Sequence, residues 1–140
     1  MATNPSTNVQ FTNSSGEILY LNAVNIWDGP PQSYIPLVIQ VGPTVGVTQN
    51  GSVVGVEYKL KDNKSLIIAW INNVVSNKVY AEIVQAGSGA QFVQWAQIKE
   101  SVEKSGSFFD SGNQYGYKCA LVIDILGGTP TMKATFTKAA

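Results

Sequence analysis

Two stretches decide the fold: Ser65-Leu66-Ile67-Ile68-Ala69-Trp70-Ile71 and Lys78-Val79-Tyr80-Ala81-Glu82-Ile83-Val84. The first is apolar at every position after Ser65. It is bounded by the turn residues Lys61-Asp62-Asn63-Lys64 before it and Asn72-Asn73 after it. A run that short, rich in Ile and bounded by turn residues, reads as a central strand buried on both faces. The second alternates: Val79, Ala81 and Ile83 on one side, Tyr80, Glu82 and Val84 on the other. That is the period of a strand with unlike faces.

Working outward, the same signal recurs. Asn8 to Asn13 alternates, and Ser14-Ser15-Gly16 turns. Glu17 to Trp27 alternates again, with Ile18, Tyr20, Asn22, Val24 and Ile26 on one side and Leu19, Leu21, Ala23, Asn25 and Trp27 on the other. Asp28-Gly29-Pro30-Pro31 stops it, because proline cannot donate to a ladder. Tyr34 to Val41 reads as a strand whose Pro36 places its start at an edge or bulge. Thr44 to Thr48 and Val53 to Leu60 flank Asn50-Gly51, a strong hairpin signal. Gln114 to Leu126 and Thr131 to Thr137 supply two further strands around Gly127-Gly128.

One segment changes period. From Ala90 to Lys104, Phe92, Trp95, Ile98 and Val102 recur at helical spacing, with Ser88 as a candidate N-cap and Gly106 ending the segment. The expected fold is a mainly antiparallel β-sandwich of eight to ten strands, residues 1–140 forming a single domain, with one amphipathic helix near residues 90–104.

Composition narrows the chemistry. Nine basic residues balance nine acidic ones, giving zero net charge, so the electrostatic footprint of a nucleic-acid binder is missing. There is no histidine, which excludes Ser-His-Asp and Cys-His catalysis and imidazole metal sites. All nine basic residues are lysine, so bidentate arginine recognition of phosphate or carboxylate is excluded as well. Cys119 is the single cysteine and lies between apolar neighbours, as a buried core thiol does. The carboxylates show no marked catalytic pair; Glu57, Glu82 and Asp124 fall inside strands, where alternation can turn them outward. Asp62-Asn63 and Asp110-Ser111-Gly112-Asn113 read as turns and not as calcium loops. Neither a metal nor a cofactor is expected.

What remains is aromatic and amide chemistry. Three Trp and six Tyr accompany eleven Asn and nine Gln. Rings stack on the apolar face of a sugar, and amides bond its hydroxyls, with little need for charge. The segment Trp27-Asp28-Gly29-Pro30-Pro31-Gln32-Ser33-Tyr34 reads as the best single patch, a loop where binding residues concentrate. The same rings suit a membrane interface. A third reading is a self-assembling structural protein, since long Val/Ile strands at zero net charge favour homo-oligomers. An enzyme working through carboxylates alone is a fourth.

Gly55-Val56-Glu57-Tyr58, Ile68-Ala69-Trp70-Ile71-Asn72 and Asn77-Lys78-Val79-Tyr80-Ala81-Glu82-Ile83 carry a resemblance. Together they resemble the plant jasmonate-induced proteins of the 23 kDa type. The pattern there is a Gly/Val-x-x-Tyr strand, an Ala-Trp-x-Asn element, and Asn-Lys-Val-Tyr followed by an acidic residue and Ile. The spacing continues through Trp95, Ile98 and Ser105 into Gly116-Tyr117-Lys118-Cys119, so the match spans roughly residues 50 to 125. Asn73 stands where that family commonly has Pro. The resemblance implies a soluble plant protein accumulating in stress or wounding, and it brings no catalytic residues with it. Trp70 and Tyr80 are expected to pack across adjacent strands, and Asn72 and Asn77 to bracket their connecting loop.

The functional expectation is therefore a non-enzymatic, stress- or defence-associated protein binding carbohydrate in a lectin-like manner. Its expected ligand-binding residues are Trp27, Asp28, Gln32 and Tyr34, with Asn72 and Asn77. The alternative partner is a membrane surface. The polar N-terminus Met-Ala-Thr-Asn-Pro-Ser lacks a signal-peptide core, so the expected location is cytoplasmic or nucleocytoplasmic.

Overall fold

A computed structural model describes residues 5–73, 76–85, 93–124 and 129–139. Among the described residues ten strands form two five-stranded sheets. They are β1 (Ser6–Ser14), β2 (Leu19–Asp28), β3 (Val38–Ile39), β4 (Val45–Asn50), β5 (Val53–Lys59), β6 (Lys64–Ile71), β7 (Lys78–Gln85), β8 (Phe108–Asp110), β9 (Tyr117–Ile123) and β10 (Thr131–Lys138). One sheet runs β4-β1-β10-β9-β8 and the other β3-β2-β5-β6-β7. All pairings are antiparallel except β1 with β10. The expected β-sandwich is what forms, and neither sheet closes into a barrel.

The central core lies between the sheets. Val54, Val56 and Tyr58 of β5, Leu66, Ile68 and Trp70 of β6, and Val79, Ala81 and Ile83 of β7 face Val9, Phe11, Cys119, Leu121, Met132 and Phe136 from the opposite sheet. Cys119 is fully buried, as its setting implied, and burial pushes its thiol pKa up. β6 is buried from Ser65 to Ile71 because each of its faces is covered. Leu66, Ile68 and Trp70 enter the central core, while Ile67, Ala69 and Ile71 join a second cluster beneath the helix α1 (Trp95–Glu103).

Several expectations need correction. The helix is shorter than residues 90–104: it begins at Trp95, with Gln94 as an N-cap that makes no side-chain cap bond. Ser88 and Phe92 lie outside the described residues, as does Gly127-Gly128. Ile98 and Val102 are the buried stripe. The strand expected over Tyr34–Val41 shrinks to Val38–Ile39: Pro36 has no N–H to donate, and the bonds described below occupy Gln32 O and Tyr34 N. Phe108–Asp110 is a strand that the spacing did not reveal.

Asn50-Gly51 does not close a hairpin. β4 ends in one sheet and β5 begins in the other, so the chain crosses the sandwich there. The crossing is tight: a Cβ added at Gly29 would lie 2.5 Å from Gly51 Cα, and both glycines take positive φ. The hairpin turn that does form is Lys61-Asp62-Asn63-Lys64, joining β5 to β6, with Asp62 and Asn63 at φ 60° and 59°. The alternation read in β2 also breaks. A bulge between Leu21 and Ala23 moves one residue out of step, so Leu19 and Leu21, then Val24 and Ile26, reach the core. Trp27 is thereby turned to the outer face. Trp70 and Tyr80 do not pack together either: Trp70 opposes Val79 and points inward, while Tyr80 opposes Ala69 on the outer face.

Candidate functional site

The outer face of the β3-β2-β5-β6-β7 sheet is only partly roofed by α1. Cross-strand register sorts its residues into rows. Gly55, Ala69 and Tyr80 form one row, and Val53, Ile71 and Lys78 another. Both lie on the side that Trp27, Trp95 and the helix cover. The helix is tied down there by Ser105 Oγ donating to Val79 O at 2.6 Å and by Lys78 Nζ donating to Glu103 O at 2.6 Å.

The next two rows stay open. Glu57, Ile67 and Glu82 stand side by side on β5, β6 and β7, and Lys59, Ser65 and Val84 form the row beyond. With Val93, Gln94, Gln97 and Ile98 they line a cavity of about 230 Å³. The two carboxylates are two strand spacings apart, roughly 9.5 Å between Cα atoms. Glu57 is 5% exposed. Its Oε1 accepts from Asn22 Nδ2 at 2.8 Å, and its Oε2 lies 3.9 Å from Lys59 Nζ. Glu82 Oε1 accepts from the Tyr80 hydroxyl at 3.2 Å. Burial, and after it the charge of Glu82, raises the Tyr80 pKa. The cavity thus offers acceptors on both flanks, donors at Lys59 and Ser65, amides at its mouth, and an apolar surface of Ile67, Val84 and Ile98. Among the described residues no cluster of His, Cys, Asp and Glu could hold a metal ion.

The residues expected to bind ligand are placed elsewhere, and most serve the scaffold. Trp27 belongs to β2 and not to a loop; its ring meets that of Trp95 at 5.7 Å. Asp28 clasps Ser52: its Oδ2 accepts from Ser52 Oγ at 2.6 Å and its carbonyl from Ser52 N at 2.8 Å. Gln32 and Tyr34 are held through their backbones by the buried Gln49. Gln49 Nε2 donates to Gln32 O at 2.9 Å, and Tyr34 N donates to Gln49 Oε1 at 2.7 Å. Asn72 is buried and donates to Ser6 O at 3.0 Å, fixing the first strand. Asn77 is buried and donates to Asp124 O at 2.8 Å. Of these six side chains, Gln32 and Tyr34 are exposed, Tyr34 at 54%, and make no side-chain hydrogen bond among the described residues.

Sequence reasoning set Glu57 and Glu82 aside as strand carboxylates and passed over Ser65, Gln94 and Gln97. The available signal was their parity. Glu57 and Glu82 both fall on the strand face opposite the core residues, which is the face an amphipathic helix must cover.

A second surface feature is apolar. Ile18, Tyr20, Leu37 and Val38 are all exposed, Leu37 at 75%, and Tyr20 lies directly opposite Val38 where β2 pairs with β3. Among the described residues no helix is long and apolar enough to cross a membrane.

No protein-family model and no curated protein sequence matches the chain. Solved structures do. The lipid-binding protein Nakanori is similar with a TM-score of 0.74 at 14% identity, over 96% of this chain and 72% of that one. The Xerocomus chrysenteron lectin XCL in its wild-type form is similar with a TM-score of 0.63 at 12% identity, over 96% of this chain and 99% of the lectin. A mutated form of that lectin gives 0.64 at 12% identity, over 97% and 99%. At such identities the likeness is one of fold, and none of these structures bears the jasmonate-induced family's name.

Proposed function

We propose that this protein is a non-enzymatic binding protein that recognises carbohydrate in the cavity between α1 and the outer sheet face. The observation that carries the reading is the two-row floor, Glu57-Ile67-Glu82 and Lys59-Ser65-Val84. Hydrogen-bonding groups flank an apolar surface in a space of about 230 Å³, which matches a ring with hydroxyls around its edge and an apolar face. The fold shared with a lectin supports this reading. The resemblance to jasmonate-induced proteins would place that binding within a plant stress response. A glycan array followed by calorimetry on the best binder is the test. Gln97→Trp, at an exposed helix position on the cavity mouth, is expected to weaken binding by at least about tenfold. Unchanged affinity in a folded Gln97→Trp variant would remove the cavity from the reading.

The exposed Ile18, Tyr20, Leu37 and Val38 favour a second reading, contact with a lipid surface, and the fold shared with a lipid-binding protein supports it. Tyr34 stands in the adjoining segment. Flotation with neutral and anionic vesicles tests it: Leu37→Asp should abolish any flotation the wild type shows, and a wild type that stays with the soluble fraction refutes it.

A further inference from the structure

We propose, building on the carbohydrate reading of the α1 cavity, that its preferred ligand carries a free protonated amine, as a hexosamine does, in place of an all-hydroxyl or N-acetylated ring. The lining holds two carboxylates, Glu57 and Glu82, against one lysine, Lys59. That lysine is already committed to one side, 3.9 Å from Glu57 Oε2. Glu82, two strands away, has no basic partner among the described residues; its Oε1 takes only the neutral Tyr80 hydroxyl. Glu57 keeps one of its two oxygens free of a hydrogen bond. It is more than nine-tenths buried, yet only its Oε1 accepts a hydrogen bond, from Asn22. The contact of Oε2 with Lys59, at 3.9 Å, is too long for one.

A carboxylate oxygen that holds no hydrogen bond and lines the cavity is open to a donor, and an ammonium group answers it with charge-assisted bonds. A ring with a single amine could reach one carboxylate while its hydroxyls met Gln94, Gln97 and Ser65. Acetylation would remove both the charge and two donors, and an acidic sugar would face two carboxylates of its own sign.

Calorimetric titration of the full chain with glucosamine, glucose, N-acetylglucosamine and glucuronate at neutral pH tests the idea. Glucosamine should bind at least about tenfold more tightly than the other three. In Glu82→Gln, of nearly equal shape, the ratio of glucosamine to glucose affinity should fall to about one to two, while Glu82→Asp should retain part of the preference. Circular dichroism confirms that both variants fold. Equal affinity for glucosamine and glucose would overturn the amine preference and leave the carbohydrate reading standing. Binding of no sugar here or on the array would overturn both.

Discussion

The indoles of Trp27 and Trp95 meet edge to face, ring centroids 5.7 Å apart and planes at 77°, over the bare backbone of Gly55. This contact fixes the first turn of α1 against β2 and β5, and so sets how much of the outer face the helix covers. A Cβ at Gly55 would lie 2.8 Å from Trp95 Cζ3 and 3.0 Å from Trp27 Cη2, so the approach requires glycine.

Gly55→Val should therefore force the rings apart. The expected cost is about 1–3 kcal/mol, the usual range for overpacking, with altered near-ultraviolet circular dichroism from the two Trp. Urea denaturation measures the first effect. A variant as stable as the wild type would show that the helix can re-seat freely.

Gln49→Ala should loosen the segment around Tyr34. It removes three bonds from a fully buried amide, to Gln32 O, Asn50 O and Tyr34 N, and leaves backbone groups without partners. We expect a loss of about 2–4 kcal/mol and faster amide exchange at Tyr34. Exchange rates unchanged at Tyr34 would show that this segment is held by other means.

Asn63→Gly should stabilise the β5–β6 hairpin by up to about 1 kcal/mol, since Asn63 sits at φ 59°, in the left-handed region that glycine adopts without steric cost. Thermal unfolding reads the shift directly. A lowered Tm would indicate that Asn63 stabilises the turn more than its strain costs.

Stability should fall with alkalinity. Burial raises the pKa of Cys119 above its usual 9.0 and that of Tyr58 above its usual 10.0, the Tyr58 hydroxyl also donating to Pro36 O at 2.8 Å. Below pH 9 both groups are neutral in either state, and their full contribution is present. Above it the unfolded chain releases the thiol proton first and then the phenol proton, while the native state keeps both. Each group then removes about 1.4 kcal/mol per pH unit. Urea midpoints between pH 7 and 11 should show the decline, with Cys119→Ala flattening its first part. The native thiol should also resist disulfide reagents until the chain unfolds.

Much of the fold was legible because strand period is a local property. Six apolar residues from Leu66 to Ile71 needed two covers, and the sandwich core and α1 supply them. The bulge in β2 was not legible, since one extra residue inverts a face without altering composition. Nor was the crossing at Asn50-Gly51, where the same dipeptide that favours a hairpin also permits a close pass between glycine backbones. Asn72 and Asn77 stood out as amides, but an amide's role depends on which carbonyl it reaches, and Ser6 O and Asp124 O are far away in the chain.

By itself the sequence determined the β class, the buried thiol and a functional vocabulary without imidazole or guanidinium. Those follow from composition and from a period of two, which each residue carries with it. Only the tertiary structure decided that Glu57, Ile67 and Glu82 share a row beneath a helix that stops short of covering them. Register across three strands and the seating of α1 on Trp27 and Gly55 are relations between distant segments, and no local pattern encodes them.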